Sequence, residues 1–399
     1  MARMSKRLAV FAVAVLLVAG IVFAIKKDDI GRLMTVNTLF DEGRIVDNFS
    51  NMDRAFLTNT LDVPIRDDLM GDSGPLPDTV TIAGEERGTL DVLDELDTTA
   101  LVILRDGEII HESYYRGTGP DDRRISWSVA KSFLSGLYGA ALENGAIASL
   151  DDDVTTYVPE LQGTAYDGAT LRNVLNMSSG VRYNEDYMDQ DSDINRMGRT
   201  IALGGSLDDY TTTLTEQDFT PGDRWHYVSM DTHVAAWVLR AATGRSVHDL
   251  WEEIYGPLGF CQPPFYLTDG EGAAFALGGL NLTTRDYAKF GQLYLQDGEW
   301  NGQQLISADW VAASTAHSAP GLTGRGTGYG YQWWVPMPAR GDFMASGIYG
   351  QFVYIDPARD IVIAKNAADR EFALPNASGP HSMNMNIDLF RSLAERLGG

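Results

Sequence analysis

The sequence predicts an α+β fold in which an antiparallel sheet, drawn from both ends of the chain, is flanked by helices and joined by an all-α region. Three observations carry this. Residues 99–104 and 109–115 are β-rich and are separated by Asp106-Gly107, a pairing that marks a tight hairpin. Residues 329–335, 350–356 and 360–365 form a second set of strand-like runs near the other end of the chain. The long stretch between the two sets has helical spacing, with glycines where helices should stop.

The elements follow in order. Residues 128–144 are helical in character and end at Gly145; 171–177 form a short helix before Ser178-Ser179-Gly180. Residues 233–243 form another helix, closed by Gly244, and 284–296 a further one. Residues 388–397 form the last helix. The stretch 28–97 is polar and irregular, with clusters such as Gly71-Asp72-Ser73-Gly74-Pro75, and reads as a linker and wrapping extension ahead of a main domain at 98–399.

The 399 residues are 44% hydrophobic, as expected of a globular chain, and carry a formal net charge of -24. That charge repels phosphate, which argues against a nucleic-acid partner; it is equally compatible with a simple solubility trait. The single cysteine, Cys261, excludes an internal disulfide and a cysteine-built metal site. It has no histidine near it in sequence and reads as structural.

Lys6 and Arg7 precede an unbroken apolar run at 8–25, followed by Lys26 and Lys27. About 18 apolar residues can cross a bilayer, and cleavable signal cores are typically about 7–15. Residues 1–27 are therefore expected to be a membrane anchor, with the large domain in the periplasm or outside the cell. Val22-Phe23-Ala24 leaves open a cleaved signal and a secreted product.

The chemistry concentrates in three places. Ser126-Trp127-Ser128-Val129-Ala130-Lys131 sets a serine and a lysine three residues apart at a helix start, on one helical face. The partial positive charge there disfavours an ammonium and favours a developing oxyanion. A serine hydroxyl is a weak nucleophile without such a neighbour. Pro221-Gly222-Asp223-Arg224-Trp225-His226-Tyr227-Val228-Ser229 presents a tyrosine and a serine ahead of a helix; a tyrosine beside a neutral lysine can relay a proton. Ser346-Gly347-Ile348-Tyr349-Gly350-Gln351 flanks Ile348 with glycines that admit another backbone, and an edge strand here would offer a free N–H. Taken singly, these stretches read more readily as a chance motif, a core tyrosine and a plain turn.

Together, their order and spacing resemble the penicillin-recognising serine hydrolases of the class C β-lactamase-like group. The branch most similar is the 6-aminohexanoate-dimer hydrolases. Pro120-Asp121-Asp122-Arg123, Tyr157-Val158-Pro159-Glu160-Leu161, Tyr183-Asn184-Glu185-Asp186-Tyr187 and Phe275-Ala276-Leu277-Gly278-Gly279 carry that likeness, over roughly residues 50 to 396. The resemblance implies a β-lactamase/transpeptidase-like fold and a hydrolase of a small linear amide or ester, working through an acyl-serine without a cofactor. It implies Ser128 as nucleophile, Lys131 as base, Tyr227 as proton relay, and the backbone N–H groups of Ser128 and Ile348 as oxyanion donors. It places Tyr187, on a loop, against the scissile group, with Ser229, Leu277 and Tyr349 around the substrate. A short-chain carboxylesterase, a DD-peptidase or β-lactamase, and a catalytically inactive anchored binding domain are the alternatives; either a monomer or a homodimer fits.

Two motifs depart from the pattern. The second reads Tyr-Val-Ser where β-lactamases and peptidases carry Tyr-x-Asn, and the third has no Lys or His before Ser346-Gly347. That cation would hold a substrate carboxylate, so antibiotics and D-Ala-D-Ala are disfavoured. Leu277 stands where the nylon-oligomer enzymes carry a polar residue, and Gly198 lies near where some of them place a carboxylate. Asp189, Asp191 and Asp193 alternate like the start of a calcium loop but lack its glycine and late glutamate, and His226 and His233 lack metal-ligand spacing, so no metal is expected. The cluster Tyr329, Tyr331, Trp333 and Trp334 is expected to alternate along one strand as core and cleft lining.

Overall fold

The computed structural model describes residues 31–322, 326–372 and 382–398. The apolar run at 8–25 lies outside them. No helix among the described residues is long and apolar enough to cross a membrane.

Seven antiparallel strands form the main sheet. In chain order they are β1 (Thr98–Arg105), β2 (Glu108–Tyr114), β3 (Thr327–Tyr329), β4 (Trp334–Pro336), β5 (Phe343–Gly347), β6 (Gln351–Asp356) and β7 (Ile361–Ala367). In space they run β3-β4-β5-β6-β7-β1-β2, so the late strands join the early ones through the β7–β1 pairing. Both faces are covered, and side chains alternate between them with the period of two that a pleated strand imposes. Val102, Leu104, Val353, Ile355, Val362 and Ala364 join the larger core. Leu101, Ile103, Phe352, Tyr354, Ile361 and Ile363 join a second core, which is closed by the C-terminal helix.

The helices that matter here are α1 (Val129–Glu143), α2 (Asp193–Ala202), α3 (Ser229–Thr243), α4 (Thr284–Leu295) and α5 (Ser382–Leu397). α4 packs on one face of the sheet and α5 on the other. At Gly291 of α4, a β-carbon would lie 2.5 Å from Val362 Cγ1, so this helix reaches the sheet only because it lacks one there. α1, α2 and α3, with shorter helices between them, make up the all-α region.

The structure differs from the sequence reading in several places; among them, the last helix, expected over 388–397, begins at Ser382. Residues 329–335 are not one strand: β3 and β4 form a hairpin whose turn holds Gln332 at φ 66°. The buried Gln332 amide donates to the carbonyls of Val174 (3.2 Å) and Leu175 (3.0 Å), and its oxygen accepts from Thr232 Oγ1 (2.7 Å). These bonds hold Gln332 left-handed without its being a glycine; the glycine of this turn, Gly330, lies two residues earlier. The helix expected to begin at His233 begins at Ser229. A second, four-stranded sheet was not expected at all: Leu57–Thr60, Phe265–Thr268, Leu280–Leu282 and Arg124–Ile125, in that spatial order. Through its first strand, the stretch 31–97 is built into the fold. The helix Ile45–Ser50 docks on the buried Arg124, whose Nη1 donates to Val46 O at 2.7 Å.

Candidate active site

Ser128 is set by the small sheet and the cap of α1. The Ser126 N–H donates to Leu280 O at 2.8 Å, fixing the approach. Trp127 then turns at φ 43°, a conformation that costs a tryptophan free energy and that the surroundings must enforce. Ser128 follows as the N-cap of α1, half-buried. Two residues supply the enforcement. At Gly278 a β-carbon would already touch Trp127 Cα at 3.6 Å, and at Gly347 it would lie 2.5 Å from Ser126 O and 3.0 Å from Ser128 N. The end of β5 therefore presses directly on the nucleophile turn.

β5 lies inside the sheet, yet β4 pairs with it at Met344 alone. Beyond that point its edge towards Ser128 is unpaired, although the strand is interior to the sheet and not the edge strand that the sequence suggested. The backbone N–H groups of Ser128 and Ile348 have no hydrogen-bond acceptor among the described residues. Both belong to the wall around the serine.

One helical turn after Ser128, Lys131 is buried. Its Nζ donates to Ser229 Oγ at 3.3 Å and sits 5.5 Å from the centre of the Tyr227 ring. Burial pushes its pKa down to about 7, against the opposing pull of Glu185 and Asp231. The neutral amine is thus far more accessible near neutral pH than for an exposed lysine. The Tyr227 phenol moves the other way: burial first, then the charge of Glu185, hold it well above its usual range, while hydrogen bonding with Ser128 and Ser229 opposes them. It stays protonated and is able to donate.

Glu185 is the residue that sequence reasoning passed over. The stretch containing it was quoted only for its likeness. Its carboxylate accepts the Ser229 N–H at 3.1 Å, the Ser229 hydroxyl and the Tyr187 hydroxyl at 2.9 Å. Burial raises its pKa, and Lys131 is the largest opposing influence. Ser229 is thus held between Glu185 and Lys131 while also lining a cavity beside Ser128. Further in, the buried Asp231 accepts from Ser179 Oγ (2.7 Å) and Tyr166 OH (3.0 Å), and burial lifts its carboxyl to about 8.

Ser128 stands between two cavities. One, of about 320 Å³, is lined by Glu185, Tyr187, Tyr227, Trp334, Ser346 and Ile348 among others. The other, of about 300 Å³, takes in Tyr187, Ser229, Leu277 and Tyr349. The residues that the resemblance assigned to the site therefore meet around this serine. The remaining candidates are engaged elsewhere. His233 Nε2 faces Asp208 Oδ1 at 2.8 Å, and Asp193 accepts the Asn184 N–H at 2.7 Å. Burial raises the Cys261 thiol far above its usual range, so it does not ionise near neutral pH.

A model of the beta-lactamase family matches residues 89–376, well over half of the chain. The chain belongs to the beta-lactamase family. A 6-aminohexanoate-dimer hydrolase of Paenarthrobacter ureafaciens is 34% identical to it over 287 residues, 68% of this chain and 73% of that one. A Bacillus anthracis protein named as a candidate 6-aminohexanoate-dimer hydrolase superposes with a TM-score of 0.77 at 25% identity, covering 90% of this chain and 96% of its own. A family VIII carboxylesterase shares the fold, with a TM-score of 0.56 at 15% identity over 76% of this chain and 97% of its own. This beta-lactamase family member is a serine hydrolase.

Proposed function

We propose that the chain hydrolyses a small linear amide or ester through an acyl-serine, with Ser128 as nucleophile, Lys131 as base and Tyr227 as proton donor. The observation that carries this is the buried Lys131, held near neutrality one helical turn from a half-exposed serine. Neutral Lys131 takes the proton of the Ser128 hydroxyl as Oγ attacks the carbonyl carbon. The carbonyl oxygen becomes an oxyanion and accepts from the free N–H groups of Ser128 and Ile348. As the C–N or C–O bond breaks, Tyr227 gives its proton to the leaving atom and regains one from the Lys131 ammonium. Water then repeats the sequence on the acyl-enzyme, with the carboxylic acid as second product. The smaller departures from the family's motifs fit a substrate without a carboxylate beside the scissile bond: no Lys, Arg or His is among the described residues lining the cavity on the Tyr227 side. The relative from Paenarthrobacter supports a linear amide, and the carboxylesterase fold neighbour supports a short ester.

The test is turnover of p-nitrophenyl acetate and butyrate, 6-aminohexanoate dimer and nitrocefin by the intact chain beside Ser128→Ala. Ester or linear-amide turnover that vanishes in the variant, with nitrocefin untouched, supports the reading. Activity that survives in Ser128→Ala refutes it. The apolar run at 8–25 further supports an enzyme anchored in a membrane and facing away from the cytoplasm. Release of the full chain from membranes by alkaline carbonate would count against the anchor.

A further inference from the structure

The cavity on the far side of Ser128 from Tyr227 has a composition that the reaction alone does not require. Tyr227 hands its proton to the leaving group, so the leaving group lies on the Tyr227 side and the acyl group extends into the other cavity. Its walls are aliphatic and aromatic, with Ile194, Met197, Ile201, Leu267, Phe275 and Leu277 among them. A second wall comes from ahead of the family-matched region: Val36, Leu39, Phe40 and Phe56. The Phe40 ring stacks on Tyr349 at 5.0 Å and lies 6.1 Å from Trp127, so this wall is anchored on both sides of the nucleophile.

Gly198 is the most informative lining residue. It sits in the middle of α2, where glycine costs about 1 kcal/mol relative to alanine. It has an ordinary helical φ, and open space extends for 4 Å around where its β-carbon would be. Neither backbone conformation nor close packing requires a glycine there. What its missing side chain preserves is the volume of the cavity. The only charged residue among the described lining is Arg199, whose Nη1 donates to Gln190 O at 2.7 Å and which pairs with no carboxylate among the described residues.

We infer that this cavity is an acyl-chain pocket, walled in part by residues 36–56, that selects linear apolar acyl groups and rejects those ending in an ammonium. The inference rests on the reading of Ser128 as an acylated nucleophile. An apolar chain gains from each methylene it buries, at about fourfold in affinity apiece. A terminal ammonium drawn into this lining would lose water and meet no carboxylate among the described lining residues.

The experiment is a series of p-nitrophenyl esters, with acetyl, butyryl, octanoyl and 6-aminohexanoyl groups, on the intact enzyme. The octanoyl-to-acetyl ratio of kcat/KM should exceed about tenfold, as should the octanoyl-to-6-aminohexanoyl ratio. Gly198→Leu fills the cavity without straining the helix and should collapse the first ratio towards unity. Phe40→Ala, at an exposed position, should lower it, and Phe40→Leu should restore it. Because each ratio is taken within one protein, a general loss of activity does not imitate the effect. A flat chain-length profile, equal use of the 6-aminohexanoyl ester, or a Gly198→Leu ratio unchanged from the parent would overturn the pocket. Absence of Ser128-dependent acetate turnover would instead overturn the reaction assignment.

Discussion

Replacing Gly347 by alanine is the sharpest test of how the nucleophile and the oxyanion donors are held. The added β-carbon would lie 2.5 Å from Ser126 O, 3.0 Å from Ser128 N and 3.2 Å from Trp127 Cβ. Ordinary contact begins at 3.4 Å, so the end of β5 and the serine turn must separate by about 0.9 Å. Neither side is a flexible side chain that can swing away; two of the three opposing atoms are backbone. The next N–H along β5 is that of Ile348, and a shift of that size takes it out of hydrogen-bond range of an oxyanion placed against Ser128 N–H. Losing one oxyanion donor costs about 10²–10³-fold in kcat. The assay is steady-state hydrolysis of p-nitrophenyl butyrate, with thermal unfolding followed in parallel to confirm the fold. A folded Gly347→Ala enzyme with kcat within about threefold of the parent would refute both the crowding argument and the role of Ile348.

Other expectations follow from the same site. With Lys131 in the proposed role of base and its pKa pushed down to about 7, kcat/KM should rise with pH through about 7; a pH profile flat from 5 to 9 would remove it from that role. Glu185 stabilises the Lys131 ammonium, so Glu185→Gln should lower the lysine pKa and move that acid limb to lower pH, whereas a limb that stays in place would make Glu185 a purely structural bridge. Tyr227→Phe should slow an amide by about 10²–10⁴-fold but a p-nitrophenyl ester far less, since nitrophenolate leaves without a proton; equal losses would refute the proton-donor role. Cys261→Ala should leave kcat unchanged, and the native thiol should resist iodoacetamide near neutral pH until the protein unfolds.

Ser128 and Lys131 were legible because their relation is local: three residues on a helix lie on one face whatever the rest of the chain does. The bare edge at Ile348 was legible because glycines mark close approach. Glu185 was not, since its role depends on a loop folding back onto the first turn of α3, a contact across 44 residues that leaves no spacing signal. The β3–β4 hairpin was hidden for a related reason. Its turn is stabilised by Gln332 bonding to carbonyls more than 150 residues away, so local chemistry reads as a continuous strand. The small sheet escaped because Arg124–Ile125 and Leu280–Leu282 are too short to show a period.

The pairing of Leu57–Thr60 with Phe265–Thr268 has a further consequence. Phe265–Thr268 is a buried strand whose other side is occupied by Leu280–Leu282. A chain cut back to the family-matched region at residue 89 would keep Ser128, Lys131 and Tyr227. It would also strip the outer strand from this sheet and leave four residues, Phe265 to Thr268, with a row of unbonded amides and carbonyls. An apolar open edge of that kind recruits strands from other molecules. The early segment is therefore also a solubility device, and a truncated enzyme should be lost to self-association before its chemistry is ever in question.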